Sequence, residues 1–257
     1  MTVRPLLTAL VAALGTALLA GAAAAHDIWI TTVGPAAARR AVINYGHPDD
    51  RQPTVTDKII DIFAYGANER RSLIAGLATA RKNGFLVVET QPFRDPGGLL
   101  LAVRYDNGFW VKTADGYRNA TTREVPDARD SLWSMKFGKA LTGPKAPWGK
   151  VLGHTLELVP LADPTRVAPG RVLRLRVLFR GEPLVGAEVE RGDGLTRVAE
   201  ERMARFTTDA DGIATIPIAR TGPTQLTVEH TVAPSATAAL AGRDLFAATL
   251  WYRAPAR

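Results

Sequence analysis

Beyond residue 25 the apolar residues of this chain recur at every second position or gather in short runs bounded by Gly, Pro, Asn and Asp, and that spacing commits it to β-strands. A helix would scatter such a pattern around its circumference, whereas a strand collects it on one face. The predicted strands of the first half are Asp27 to Thr32, Ala41 to Tyr45, Lys58 to Ala64, Phe85 to Thr90, Leu99 to Tyr105 and Gly108 to Lys112. Ile28 and Ile30 face one way and Trp29 the other, and Asp106-Asn107-Gly108 has the composition of a hairpin turn. Ser72 to Thr79 fits a strand or a short helix, and Arg129 to Leu141 fits a helical face or a twisted strand, so both stay unassigned.

Thr142 to Gly149 breaks every regular pattern with Gly143, Pro144 and Pro147, and reads as a linker. After it come seven short predicted strands, at 154–160, 171–179, 187–191, 203–207, 213–218, 225–231 and 245–252, with turns at Pro169-Gly170, Arg180 to Pro183 and Asp209 to Gly212. Seven strands over about 100 residues suit an antiparallel sandwich of immunoglobulin-like or transthyretin-like shape. The expected architecture is therefore all-β: two β-sandwich domains, residues 26–145 and 150–257, behind a leader at 1–25. Asp209-Ala210-Asp211-Gly212 superficially matches a calcium loop, but Ile213 to Ile218 runs straight into a strand where the closing bidentate Glu should be. It reads as a hairpin turn.

The leader has a basic start (Met1 to Arg4), an apolar block from Pro5 to about Ala20, and Ala at the −3 and −1 positions before His26. That is the layout of a cleaved secretory signal peptide, and the block is shorter than the roughly 20 residues a bilayer requires. Cleavage after Ala25 would leave 232 residues and no further apolar run of membrane length, so a periplasmic protein without an integral membrane segment is expected. The mature chain would begin with His26, placing a free α-amine and an imidazole on one residue. Two more donors would then complete a metal site.

Composition narrows the chemistry. The chain has no cysteine, which removes disulfide staples, thiolate metal sites and cysteine nucleophiles. Its net charge of +7 is carried by scattered arginines such as Arg39, Arg40, Arg70, Arg71, Arg171, Arg174 and Arg176, which alternate with apolar residues as solvated strand faces do. No nucleic-acid partner is expected. The chain contains no Gly-x-Ser-x-Gly elbow, His-Glu-x-x-His helix or phosphate loop, and the carboxylate pairs Glu200-Glu201 and Asp49-Asp50 would point to opposite faces of a strand. An enzyme is not expected.

Four histidines remain: His26, His47, His154 and His230. If the first two strands pair antiparallel, the start of one lies beside the end of the other, and register brings His26 to His47. The α-amine and imidazole of His26 with the imidazole of His47 suit copper(II), nickel(II) or cobalt(II) better than magnesium or calcium. Asp49 or Asp50 could add an oxygen ligand, Asp27 could orient an imidazole from behind, and His154 or His230 could complete the set if the domains pack face to face. Because these ligands bind as free bases, affinity should fall below about pH 6 to 7.

Several segments together resemble the DUF4198 family: Ala25-His26-Asp27-Ile28-Trp29, Leu156 to Pro164, Val177 to Val189, and Thr207 to Gly212. Members of that family are commonly labelled as periplasmic components of cobalt or nickel uptake, the NikM or CbiK-like group. The resemblance implies a Gly-His pair ending the second strand, here Gly46-His47, and delivery of metal to an inner-membrane transporter. Only four histidines leave room for one compact site and no His-rich reservoir. The expected function is binding of a divalent transition metal, nickel or cobalt with copper as a further candidate, and its delivery to an uptake system. The alternative is a metal-free carbohydrate-binding or adhesion module using Trp29, Trp110, Tyr117 and Trp148 as stacking faces.

Overall fold

The computed structural model describes residues 26–199 and 202–256; the expected leader at 1–25, Glu200-Glu201 and Arg257 lie outside the described residues. The first ten strands are β1 (Asp27–Val33), β2 (Arg40–His47), β3 (Asp50–Gln52), β4 (Ile59–Tyr65), β5 (Arg70–Ser72), β6 (Ala78–Lys82), β7 (Phe85–Glu89), β8 (Leu100–Thr113), β9 (Gly116–Asn119) and β10 (Asp130–Leu141). After the Gly- and Pro-rich stretch follow β11 (Leu156–Pro160), β12 (Val172–Phe179), β13 (Glu182–Pro183), β14 (Glu188–Gly192), β15 (Ala204–Thr207), β16 (Ile213–Pro217), β17 (Gly222–Val232) and β18 (Arg243–Ala254). Helix among the described residues amounts to two short 3-10 turns, Ala36–Ala38 and Thr56–Lys58, and a 3-10 residue at Arg202. The protein is all-β.

Three sheets form. The largest, in the order β15-β14-β17-β18-β10-β8-β4-β5, takes strands from both sides of the 142–149 stretch. Its seam is the parallel pairing of β10 with β18, Leu132 opposite Arg243 through to Ala140 opposite Trp251. A second sheet, β1-β2-β7-β6 with β3 beside β2, lies on one face of it; a third, with β11, β13 and β16 paired to or ordered around β12, lies on the other. The two sandwiches thus share their middle layer.

Strand alternation divides the core accordingly. Met135, Phe137 and Leu141 of β10 and Phe246, Ala248, Leu250 and Tyr252 of β18 join one apolar cluster with Leu156, Leu158, Leu173 and Leu175. Ala140 and Trp251, on the opposite face, join Ile28, Trp29, Ile30, Ile43, Leu101, Val103 and Tyr105 in the other. A sheet buried on both faces loses the polar/apolar alternation by which a strand is recognised. Segment 129–141, ambiguous in sequence, is such a strand.

Two sequence expectations change. Asp106-Asn107-Gly108 is no hairpin turn, because β8 runs through it as one strand opposite β10, with Gly108 facing Ser134 and Asp106 facing Met135. Asn107 is the extra residue of a β-bulge. Gly108 takes φ +83°, a left-handed conformation natural to glycine. Asp106 Oδ1 accepts from the Gly108 amide at 2.9 Å and from Trp133 Nε1 at 2.9 Å, tying the bulge down. Segment 72–79 is divided between the end of β5, an intervening turn and the start of β6.

Lys139 and Glu157, 3 % and 1 % exposed, form an ion pair inside the first of these cores. Lys139 Nζ also donates to Leu158 O at 3.2 Å and Lys150 O at 3.3 Å, and the Glu157 carboxylate accepts from the amides of Leu152, Gly153 and His154. The pair therefore clasps the 150–154 loop to the sheet. Lys139→Ala should cost about 3–5 kcal/mol in urea unfolding, because it leaves a buried carboxylate without its counter-charge; a loss below about 1 kcal/mol would contradict the clasp.

His154 is buried beside this pair, its ring 5.2 Å from that of Phe137. Burial first, then the Lys139 charge, lower its pKa to about 4, against the weaker pull of Glu157 and Asp61; Arg104 adds to the lowering. In the unfolded chain the imidazole takes its proton near 6.5, so between about pH 6.5 and 4 the unfolded state binds more protons and stability falls as the pH drops. The loss reaches about 3 kcal/mol. His154→Phe should flatten that part of the pH–stability curve, and an unchanged slope would show that His154 does not cause it.

Candidate functional site

β1 and β2 pair antiparallel with Asp27 opposite Gly46 and Val33 opposite Arg40. His26, just before β1, and His47, at the end of β2, therefore meet at one edge of the second sheet. Their ring centroids are 5.2 Å apart and nearly perpendicular, at 81°. Tyr45 lies 5.4 Å from His26, also edge-on, and its own ring is 5.4 Å from that of Tyr105.

The corner that carries His47 is held on several sides. Gly46 takes φ +110°, and a Cβ there would come within 2.7 Å of Asp50 O and Gln52 N, so only glycine lets β3 fold back beside it. Arg51 donates from Nε to Pro48 O at 3.1 Å and from Nη1 to Asn44 Oδ1 at 2.8 Å. Its guanidinium sits over both Trp29 (5.3 Å) and Phe85 (5.2 Å). Asn44, fully buried, donates to Trp29 O and Thr31 Oγ1 and so ties β2 to β1 through side chains as well as backbone.

Burial, the neighbouring His47 and the Lys136 charge depress the His26 pKa, with Asp50 pulling the other way. At neutral pH His26 is thus a free base with a nitrogen lone pair to offer. Asp27 takes a different partner set: Gln225 Nε2 at 2.9 Å and Thr227 Oγ1 at 3.2 Å, both on β17. Its burial raises its pKa to about 7, against the Lys136 charge. Asp27 joins the second sheet to the middle one.

The predicted site residues therefore separate. His26 and His47 come together. Asp50 stands opposite His47 across the β2–β3 turn, and Asp49 is an exposed residue of that turn. His154 belongs to the core beside Phe137, and His230, against Phe179 at 4.5 Å, faces the opposite side of β17 from Thr227. Among the described residues no set of three or more His, Asp or Glu side chains is gathered to hold a metal ion. Of the aromatic residues considered for stacking, Trp29 is fully buried.

The sequence reading missed a polar patch on the middle sheet behind the histidines. Lys136 of β10 and Glu229 of β17 both stand opposite Ala247 of β18, so they share a row on one face of the sheet. Lys136 is 1 % exposed, and burial lowers its pKa despite the attraction of Glu229 and Asp27. Gln225, Thr227 and Glu229 alternate through β17, a polar period-two signal inside an otherwise buried strand that was readable in advance. Beside this patch a groove of about 1470 Å³ runs from His47 and Asp49 past Asp27, Gln225 and Thr227 to Gly194.

Arg51→Ala should lower stability by about 1–2 kcal/mol, the scale of one charged hydrogen bond and a cation–π contact, and should shift the His47 imidazole resonances in NMR. Unmoved His47 resonances would mean that Arg51 does not set this corner.

No helix among the described residues is long and apolar enough to cross a membrane. Similarity to known proteins is strongest in sequence. A Haemophilus influenzae protein described as "Uncharacterized protein" is 29 % identical over 177 residues, covering 68 % of this chain and 71 % of that one. Among solved structures, a chimeric titin Z1Z2 is 9 % identical and covers 90 % of this chain and 95 % of its own, with a TM-score of 0.24. The N-terminal part of the bacterial S-layer protein SbsC is 8 % identical, covers 86 % of this chain and 44 % of its own, and has a TM-score of 0.20. These overlays are too loose to carry an argument. The family model described as "Domain of unknown function (DUF4198)" matches residues 23–232, and the chain belongs to that family.

Proposed function

We propose that this protein binds a divalent transition metal, nickel or cobalt with copper also suited to the donors, in the periplasm and passes it to an uptake system in the inner membrane. The observation that carries this reading is the pair of imidazoles, His26 and His47, 5.2 Å apart, with His47 at the mouth of a groove. Imidazole is a borderline donor that favours these metals over magnesium or calcium. If the leader is removed after Ala25, the α-amine of His26 adds a third nitrogen. The action is ligand exchange at a partly open site, without chemical turnover. Asp49 and Asp50, on the turn beside His47, are available to assist from the rim.

Calorimetric titration of nickel, cobalt and copper into the protein beginning at His26 tests this. Either His26→Ala or His47→Ala should weaken binding by about tenfold or more, and one extra N-terminal alanine should weaken it if the amine is a ligand. Equal affinity in wild type and His47→Ala would overturn the reading.

A further inference from the structure

The groove beside the histidines is built for more than an ion. Its volume of about 1470 Å³ exceeds the roughly 300–1,000 Å³ typical of sites for small organic molecules. Its floor holds a polar atom with no partner among the described residues. Gln225, 4 % exposed, uses its Nε2 on Asp27 and Thr227 but leaves Oε1 buried and without a partner among the described residues. Such orphans are costly and rare in folded proteins. This oxygen lies against Gly194, another residue of the groove: a Cβ built there would stand 2.6 Å from it. A free acceptor beside a glycine of the groove wall matches a ligand that carries a donor, such as an amine or a hydroxyl.

The rim supplies charge. Glu188 and Glu190 are paired with Arg205, and Asp193 with Arg220, so those carboxylates are answered within the protein. Arg197 and Arg202 also line the groove and are exposed, with no ion pair among the described residues. Two cations of this kind favour a carboxylate. The segment between Asp193 and Thr196 is held in shape by Asp193 Oδ1, which accepts from the Leu195 and Thr196 amides at 2.7 Å each.

The metal end of the groove makes the complementary demand. Nickel(II) and cobalt(II) take about four to six donors, and the described residues gather two imidazoles there. We infer that the cargo is a chelate: a divalent metal already held by a small carboxylate bearing an α-amine or α-hydroxyl, with His26 and His47 filling open positions on the metal and Gln225, Arg197 and Arg202 holding the organic part. This rests on the metal-binding reading and names its substrate class.

Calorimetry of the wild-type protein with nickel(II) in a non-coordinating buffer, with preformed 1:1 nickel–histidine and nickel–citrate, and with histidine and citrate alone, tests it. The expected result is binding of at least one chelate about tenfold tighter than the bare ion. The double variant Arg197→Ala/Arg202→Ala should weaken chelate binding about three- to tenfold while leaving the bare-ion affinity unchanged. Both side chains are exposed, so loss of fold cannot explain the change. Histidine-only preference assigns the amine and citrate-only preference the hydroxyl. If the bare ion binds and both chelators merely strip it away, the inference fails and the metal reading stands. If neither ion nor chelate binds, both fail.

Discussion

Antiparallel pairing of β1 with β2 over seven consecutive residue pairs, from Asp27–Gly46 to Val33–Arg40, holds the start of one strand against the end of the next. A slip of one residue would turn every side chain of β1 to the other face, forcing Trp29 into the places of Ile28 and Ile30 and leaving its own place underfilled. Ile28, Trp29 and Ile30 are all fully buried, and each such side chain is worth about 1.5–3 kcal/mol of burial. The hydrophobic effect thereby enforces the register, and the register sets His26 beside His47. Asn44 and Arg51 add side-chain ties at the same corner. The position of the two imidazoles is a consequence of core packing several residues away.

The middle sheet is the second constraint. Because β10 pairs with β18 in parallel, residues far apart in the chain share one layer, and both faces of that layer are covered. Two lysines of β10 are buried on opposite faces: Lys139 is paired with Glu157, and Lys136 lies in the field of Asp27 and Glu229. Buried ionic groups of this kind are costly to strand and tolerant of only a few arrangements. Asp27, held by Gln225 and Thr227, is the polar joint through which the histidine-bearing sheet meets this layer.

Much of this was legible in the residues. The strands around Trp29 and Ile43, and all seven after Gly149, followed from apolar alternation and turn residues. The adjacency of His26 and His47 followed from supposing that the first two strands pair antiparallel. What could not be read was anything set by burial on both faces. Lys136 and Lys139 break the apolar pattern of β10, which hides it as a strand, and the bulge at Asn107 carries the same residues as a hairpin turn. The groove was hidden for another reason: His47, Gly194 and Gln225 come from three separate segments, and only the folded sheets bring them to one groove.

The account turns on whether the two imidazoles act on one metal ion. X-ray absorption at the nickel edge of the loaded protein reads this directly, through the multiple-scattering signature of imidazole rings. Two imidazoles per nickel, falling to one in His47→Ala, is the predicted result. A shell of oxygen donors without imidazole, or a spectrum that His47→Ala leaves unchanged, would contradict it.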